Sequence, residues 1–196
     1  AELPSLIQCV TVPFVGDLPK GHIAWDDLLH DDAEYAATQV PFDHPLWIVY
    51  SSGTTGNPKP IVHGHGGIIL ESAKQSLHHD FKRGDRYCWL TSSGWIMWNS
   101  QFTALGQGAT VAMFDGAPNH PDMGVIWRFV ADERLDFFGA GAAFFSGCMK
   151  AGVKPRDEVD LSALKSLGST GSPLSSDAYD WIYQHVKKDV WLAPIS

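Results

Sequence analysis

Residues 50–59 read YSSGTTGNPK, and five hydroxyl side chains (Tyr50, Ser51, Ser52, Thr54 and Thr55) fall within six consecutive positions. Gly53 and Gly56 punctuate them, and Pro58 and Lys59 close the run. Such a mixture suits a bound polyphosphate. Glycine lets the backbone come close and turn several N–H groups toward one anion. Hydroxyls donate hydrogen bonds to phosphate oxygens, and lysine adds a compact positive charge. The spacing differs from the common G-x-x-x-x-G-K-[ST] loop, because only Thr54 and Thr55 separate the glycines and Pro60 follows Lys59. A Ser/Thr/Gly turn without a ligand explains any short piece of this run. The whole string, with Pro58 and Lys59 in register, favours the phosphate.

Elements able to hold that loop are legible on both sides. Leu46, Trp47, Ile48 and Val49 lead in, and Ile61 and Val62 lead out. From there short apolar runs alternate with longer segments of helical character. The pattern predicts strands over 46–50, 61–63, 87–91, 110–114, 136–139, 166–169 and 190–192. It predicts helices over 65–78, 94–105, 123–133, 142–151 and 175–187. In the third of these helices Val125, Ile126, Phe129 and Val130 follow a 3-4 spacing. In the last, Ser175 or Ser176 is placed to cap and Asp177 falls in the first turn. The earlier residues are mixed, with a strand predicted over 10–15 and a short helix over 25–30. Strand–helix alternation predicts an α/β fold, a mainly parallel sheet flanked by helices. Ligands in such sheets bind beyond the carboxyl ends of the strands. Residues 1–45 are expected to be a lead-in to the same domain, and 46–196 its nucleotide-binding αβ region.

The chain has 196 residues, is 44% hydrophobic and 18% charged, and carries a net charge of −8. Those proportions provide a buried core, and the acidic balance argues against a nucleic-acid surface. Cys9, Cys88 and Cys148 are far apart with no C-x-x-C, the pattern of reduced, mostly buried thiols in a cytoplasmic protein. No basic, apolar leader is visible. The thirteen uncharged residues 137–149 are too few to span a bilayer and are expected to form a buried helix. His63, His65, His78 and His79 lack the spacing of a metal site, so no metal ligand is assigned. Asp85 and Arg86 read as a solvated turn.

YSSGTTGNPK resembles the phosphate-binding signature [YT]-S-G-T-T-G-x-P-K of the adenylate-forming enzymes. That superfamily holds acyl-CoA synthetases, luciferases and peptide-synthetase adenylation domains. Residues 167–174, LGSTGSPL, resemble its later G-S-x-G-x-P segment. Residues 93–100, SGWIMWNS, fall where acetyl-CoA synthetases carry Gly-Trp-x-Thr-Gly-His. Met97, Trp98 and Asn99 replace the last three of those residues, which argues against acetate. The combination is most similar to the acetoacetate-activating branch.

The resemblance implies an ATP-dependent ligase that joins a small carboxylic acid to coenzyme A through an acyl-adenylate, with release of pyrophosphate. It implies that Ser51, Ser52, Gly53, Thr54, Thr55, Gly56 and Lys59 cradle the phosphates, with Lys59, Thr54 and Thr55 acting in catalysis. Gly171, Ser172 and Pro173 would pack on the adenine. Trp95, Ile96 and Met97 would shape the acyl pocket, with Thr170 on the opposite wall; ordinary core packing is the competing reading for these aromatic and apolar residues. A Mg²⁺ ion is implied, with its main ligand expected beyond the end of this chain. The chain would then be an internal piece of the large N-terminal region, inactive alone and able to self-associate. The alternatives are another short- or medium-chain acyl-CoA synthetase, or a catalytically silent nucleotide-binding module.

Overall fold

The computed structural model describes residues 5–29, 34–51 and 56–195. Contacts divide the chain into two compact units that meet in sequence at Val40 and Pro41. In the first, β1 (Val10–Thr11) pairs in parallel with β2 (Ile23–Ala24), and α1 (Trp25–Leu28) follows directly. The strand expected over 10–15 stops at Thr11, and Phe14 and Val15 beyond it are exposed. His30, the expected end of the short helix, lies outside the described residues.

The second unit opens with β3 (Pro45–Ser51) and β4 (Lys59–Gly64), followed by α2 (His65–His79), β5 (Arg86–Trp89), α3 (Ile96–Gly106) and β6 (Thr110–Val111). Next come α4 (Val125–Asp132), β7 (Phe137–Gly141), α5 (Ala142–Lys150), the short α6 (Pro155–Glu158) and β8 (Ser166–Thr170). The chain closes with α7 (Ser176–Trp181), which runs into a π-helical turn (Ile182–Val186), and β9 (Trp191–Pro194). Five strands form one parallel sheet in the order β6-β5-β7-β8-β9. The expected parallel sheet flanked by helices is therefore present. The two strands around the phosphate loop depart from it. β3 and β4 pair with each other, antiparallel, as a separate two-stranded ribbon. A short loop can join only antiparallel neighbours, whereas parallel neighbours need a long crossover. Residues 137–149 are not one buried helix: Phe137–Gly141 is a strand and only Ala142 onward is helical, as the strand expected over 136–139 and the helix expected over 142–151 require.

Period-2 alternation splits the sheet's side chains between two cores. Tyr87, Trp89 and Phe137 pack on one face with Met97 and Ala104 of α3. Cys88, Phe138 and Leu167 pack on the other with Ile126 and Trp127 of α4, Phe145 of α5 and Trp181 of α7. Both faces being covered explains why β7 reads as a continuous apolar run. The Trp89 ring of β5 lies across β7 and β8, the two strands on one side of it. A Cβ on Gly139 would sit 2.1 Å from it and one on Gly168 2.5 Å, so both positions exclude a side chain.

At the amino ends of the strands, Lys165 bridges Asp85 (2.9 Å) and Asp136 (2.8 Å). The second oxygens of these carboxylates accept the backbone N–H of Lys82 and of Arg86, each at 2.8 Å. The network ties together the starts of β5, β7 and β8. It also corrects the expected solvated turn: Asp85 is 9% exposed because it is the partner of a cation from another strand. The hydrogen bonds to Asp136 and Asp85 push the Lys165 ammonium up to about 12.

Candidate functional site

Chain order fixes where the sheet can take a ligand. From β5 the chain steps outward to β6, then returns to the other side of β5 at β7 and continues through β8 to β9. Strand order reverses there, and such reversals leave a crevice outside the carboxyl ends of the strands. The segment after β5, Leu90 to Trp95, emerges at this edge, as does the turn after β8.

That β8 turn carries three of the residues expected at the adenine. Gly171 has φ +86°, a left-handed conformation that side chains rarely adopt, and a Cβ there would stand 3.6 Å from the Trp95 ring. Trp95 at the head of α3 therefore meets Gly171 directly. Ser172 and Pro173 are exposed, and half-buried Thr170 pairs with Gly141 of β7. Of the two expected caps, Ser175 is the one used: its hydroxyl accepts the Ala178 N–H at 3.3 Å.

Ser51 and Lys59 are brought directly opposite each other at the loop end of the ribbon. Ser51 is half-buried and Lys59 exposed. Gly56 has φ +135° with nothing within 4 Å of a would-be Cβ, so backbone conformation and not crowding demands glycine. Ser52, Gly53, Thr54 and Thr55 lie outside the described residues. The ribbon's register is regular from Ser51↔Lys59 to Trp47↔His63. Side chains alternate along a strand, so Lys59, Ile61 and His63 share one face with their partners Ser51, Val49 and Trp47. Four residues at about 3.4 Å each put His63 about 13 Å along β4 from Lys59.

At the far end of this face is a cleft of about 760 Å³ between the ribbon, α2, α3 and the end of β9. Ile96 and Met97, both expected at the acyl pocket, line it together with Trp47, His63, Asn99 and Gln75. Trp95 and Thr170 are not among its lining residues; they belong to the crevice beside Gly171. The Trp47 indole N–H donates to His63 Nδ1 at 3.0 Å. The Thr103 hydroxyl donates to Gln75 Oε1 at 2.8 Å, joining α3 to α2. In the cleft wall His79 stacks on Phe137, with ring centroids 5.4 Å apart. Burial, then the neighbouring His78 and Lys74, push the His79 imidazole down and favour its neutral form. Among the described residues no group of three or more His, Cys, Asp or Glu is arranged to hold a metal ion. No described helix is long and apolar enough to cross a membrane.

The sequence reading missed Trp47, His63, Gln75 and Asn99 as cleft residues. One signal was available: the i, i+4 spacing of Lys59 and His63 on a strand puts them on one face. Gln75 had no signal, because its partner Thr103 lies on α3, 28 positions later.

A fold and edge of this kind agree with sequence comparison. The family model described as AMP-binding enzyme matches residues 2–193, and the chain belongs to that family. This bears out the resemblance to adenylate-forming enzymes. Among individual relatives, the acetoacetyl-coenzyme A synthetase of Rhizobium meliloti (strain 1021) is 43% identical over 95% of this chain. The acetoacetyl-CoA synthetase of Gallus gallus is 36% identical over 99% of it. The solved structure of acetoacetyl-CoA synthetase from Streptomyces lividans superposes with a TM-score of 0.93 at 43% identity, covering 99% of this chain. The chain spans 30% of the length of the first of these relatives and 31% of the others.

Proposed function

We propose that this chain is the nucleotide-binding part of an acid–CoA ligase that activates acetoacetate with ATP and passes it to coenzyme A. The observation that carries the reading is the single ribbon face with Ser51 and Lys59 at one end and a half-apolar cleft at the other. A triphosphate and a short acyl group laid end to end need that span. The names of the relatives supply the acid.

In the first step a carboxylate oxygen attacks the α-phosphorus of ATP, the bond to the bridging oxygen breaks, and pyrophosphate leaves with both electrons. Negative charge grows on the leaving group. The Lys59 ammonium and the hydroxyls of Ser51, Ser52, Thr54 and Thr55 are suited to stabilise it, each donor lowering the barrier by about 2–4 kcal/mol. Gly53 and Gly56 let the loop close on the phosphates. Gly171, Ser172 and Pro173 form the platform for the adenine, held against Trp95. Ile96 and Met97 bound the acid by volume. In the second step the coenzyme A sulfur attacks the acyl carbon and AMP departs. Mg²⁺ would neutralise phosphate charge when bound. The reading places the protein in the cytoplasm, where its three substrates are small molecules.

The test is carboxylate-dependent ATP–pyrophosphate exchange by the native-length polypeptide that contains this sequence, with acetoacetate, butyrate, acetate or no acid. Exchange that requires acetoacetate is expected. Exchange with a different acid would keep the chemistry and remove the substrate. No exchange with any acid would leave a silent nucleotide-binding module.

A further inference from the structure

The cleft beside Ile96 and Met97 contains an imidazole whose orientation a neighbour fixes. The Trp47 indole nitrogen is a donor only. Its 3.0 Å bond to His63 Nδ1 makes that nitrogen the acceptor, so the ring proton of the neutral imidazole sits on Nε2. Among the described residues Nε2 has no hydrogen-bond partner, and His63 lines the cleft. Asn99 and His78 also line the cleft without a hydrogen-bond partner among the described residues, but no neighbour fixes the orientation of either; the remaining charged or polar side chains there are engaged or exposed. Glu71 and Lys74 pair with each other at 2.6 Å and are 46% and 57% exposed. The Gln75 oxygen is taken by Thr103. His79 is stacked on Phe137.

We infer that His63 is a specificity-determining residue that donates its Nε2–H to the ketone oxygen of a bound 3-oxo acid. Trp47 is the positioning residue that holds the donor tautomer. This inference rests on the ligase reading and deepens it. An acid with a carbonyl two carbons beyond the carboxylate satisfies this donor, whereas the equally long saturated acid leaves it unpaired, and an unpaired donor in a pocket discriminates strongly. The apolar neighbours Ile96, Met97 and Ile68 then supply shape, and His63 supplies the distinction between a ketone and a methylene.

The test compares acetoacetate with butyrate in ATP–pyrophosphate exchange by the native-length polypeptide. The variants are His63→Leu, His63→Gln and Trp47→Phe. The unaltered protein is expected to prefer acetoacetate by about 10-fold or more in kcat/KM. His63→Leu should lose about that factor with acetoacetate and little with butyrate. His63→Gln, whose amide N–H reaches a similar position, should keep much of the preference. Trp47→Phe should show a partial loss, expressed in the KM for acetoacetate while the KM for ATP stays put. Equal losses with both acids in His63→Leu would overturn the role of His63, as would an unaltered preference, and either result leaves the ligase reading standing. Absence of acid-dependent exchange in the unaltered protein would overturn both.

Discussion

The ribbon and the five-stranded sheet are built from similar residues and end up in opposite environments. In β7 four of five residues are buried, and Phe138 is fully so. In the ribbon no residue is buried, and Ile48, Tyr50 and Val62 are each more than half exposed. The sheet has helices on both faces and an ion network across its amino ends. The ribbon has α2 and the cleft toward one side and nothing described on the other. Buried apolar packing is therefore concentrated in the sheet, and Ser51 and Lys59 sit on a ribbon that buries no residue.

The largest effect expected from this division is in the sheet. Phe138→Ala should cost about 3–5 kcal/mol, read as a fall in the denaturant midpoint, because it leaves a cavity between α4, α5 and β7. A loss below about 1 kcal/mol would mean the core is loosely packed and the division false.

Lys59→Ala should do the reverse. It is expected to slow exchange about 100- to 1,000-fold while leaving the denaturant midpoint unchanged. A shifted midpoint with normal turnover would move Lys59 from the chemistry to the fold.

Alkali should weaken the sheet next. Burial pushes the Cys88 thiol up to about 12 and the Cys148 thiol up to about 11, both in the core between the sheet and its helices. A thiol whose folded value is raised contributes stability below its unfolded value near 9, and loses it as pH climbs toward the folded value. Lys165, also raised, acts in the same direction above about 10.5. The urea midpoint should hold steady to about pH 9 and fall above it. A flat profile to pH 11 would contradict the burial of both thiols.

The smallest effect belongs to the ribbon's exposed side. Ile48→Ser in the 196-residue chain should change stability by no more than about 0.5 kcal/mol. The same change costing more than about 1 kcal/mol in the native-length polypeptide would show that this side is covered there.

Much of this division was legible in the sequence, and some of it was not. Alternation and spacing located every strand of the sheet to within a few residues, because a strand buried on both faces needs an unbroken apolar run. The same runs at 46–50 and 61–63 gave the ribbon's strands but not their isolation. Apolar character reports a demand for cover and does not say what covers it. Asp85 misled for a related reason: a carboxylate beside a glycine reads as solvated until Lys165, eighty positions later, is brought to it by strand order.

The sequence alone singled out one short loop whose hydroxyls, glycines and lysine suit a phosphate. It also determined the alternation of strand and helix, which follows from periodicity along the chain. Tertiary structure alone decided which distant residues meet. Trp95 reaches Gly171, Gln75 reaches Thr103, and Trp89 needs two glycines from two other strands. Only the antiparallel register decided that Trp47 faces His63 and fixes its tautomer. A side chain's type is local, but its partner is set by the path of the whole chain.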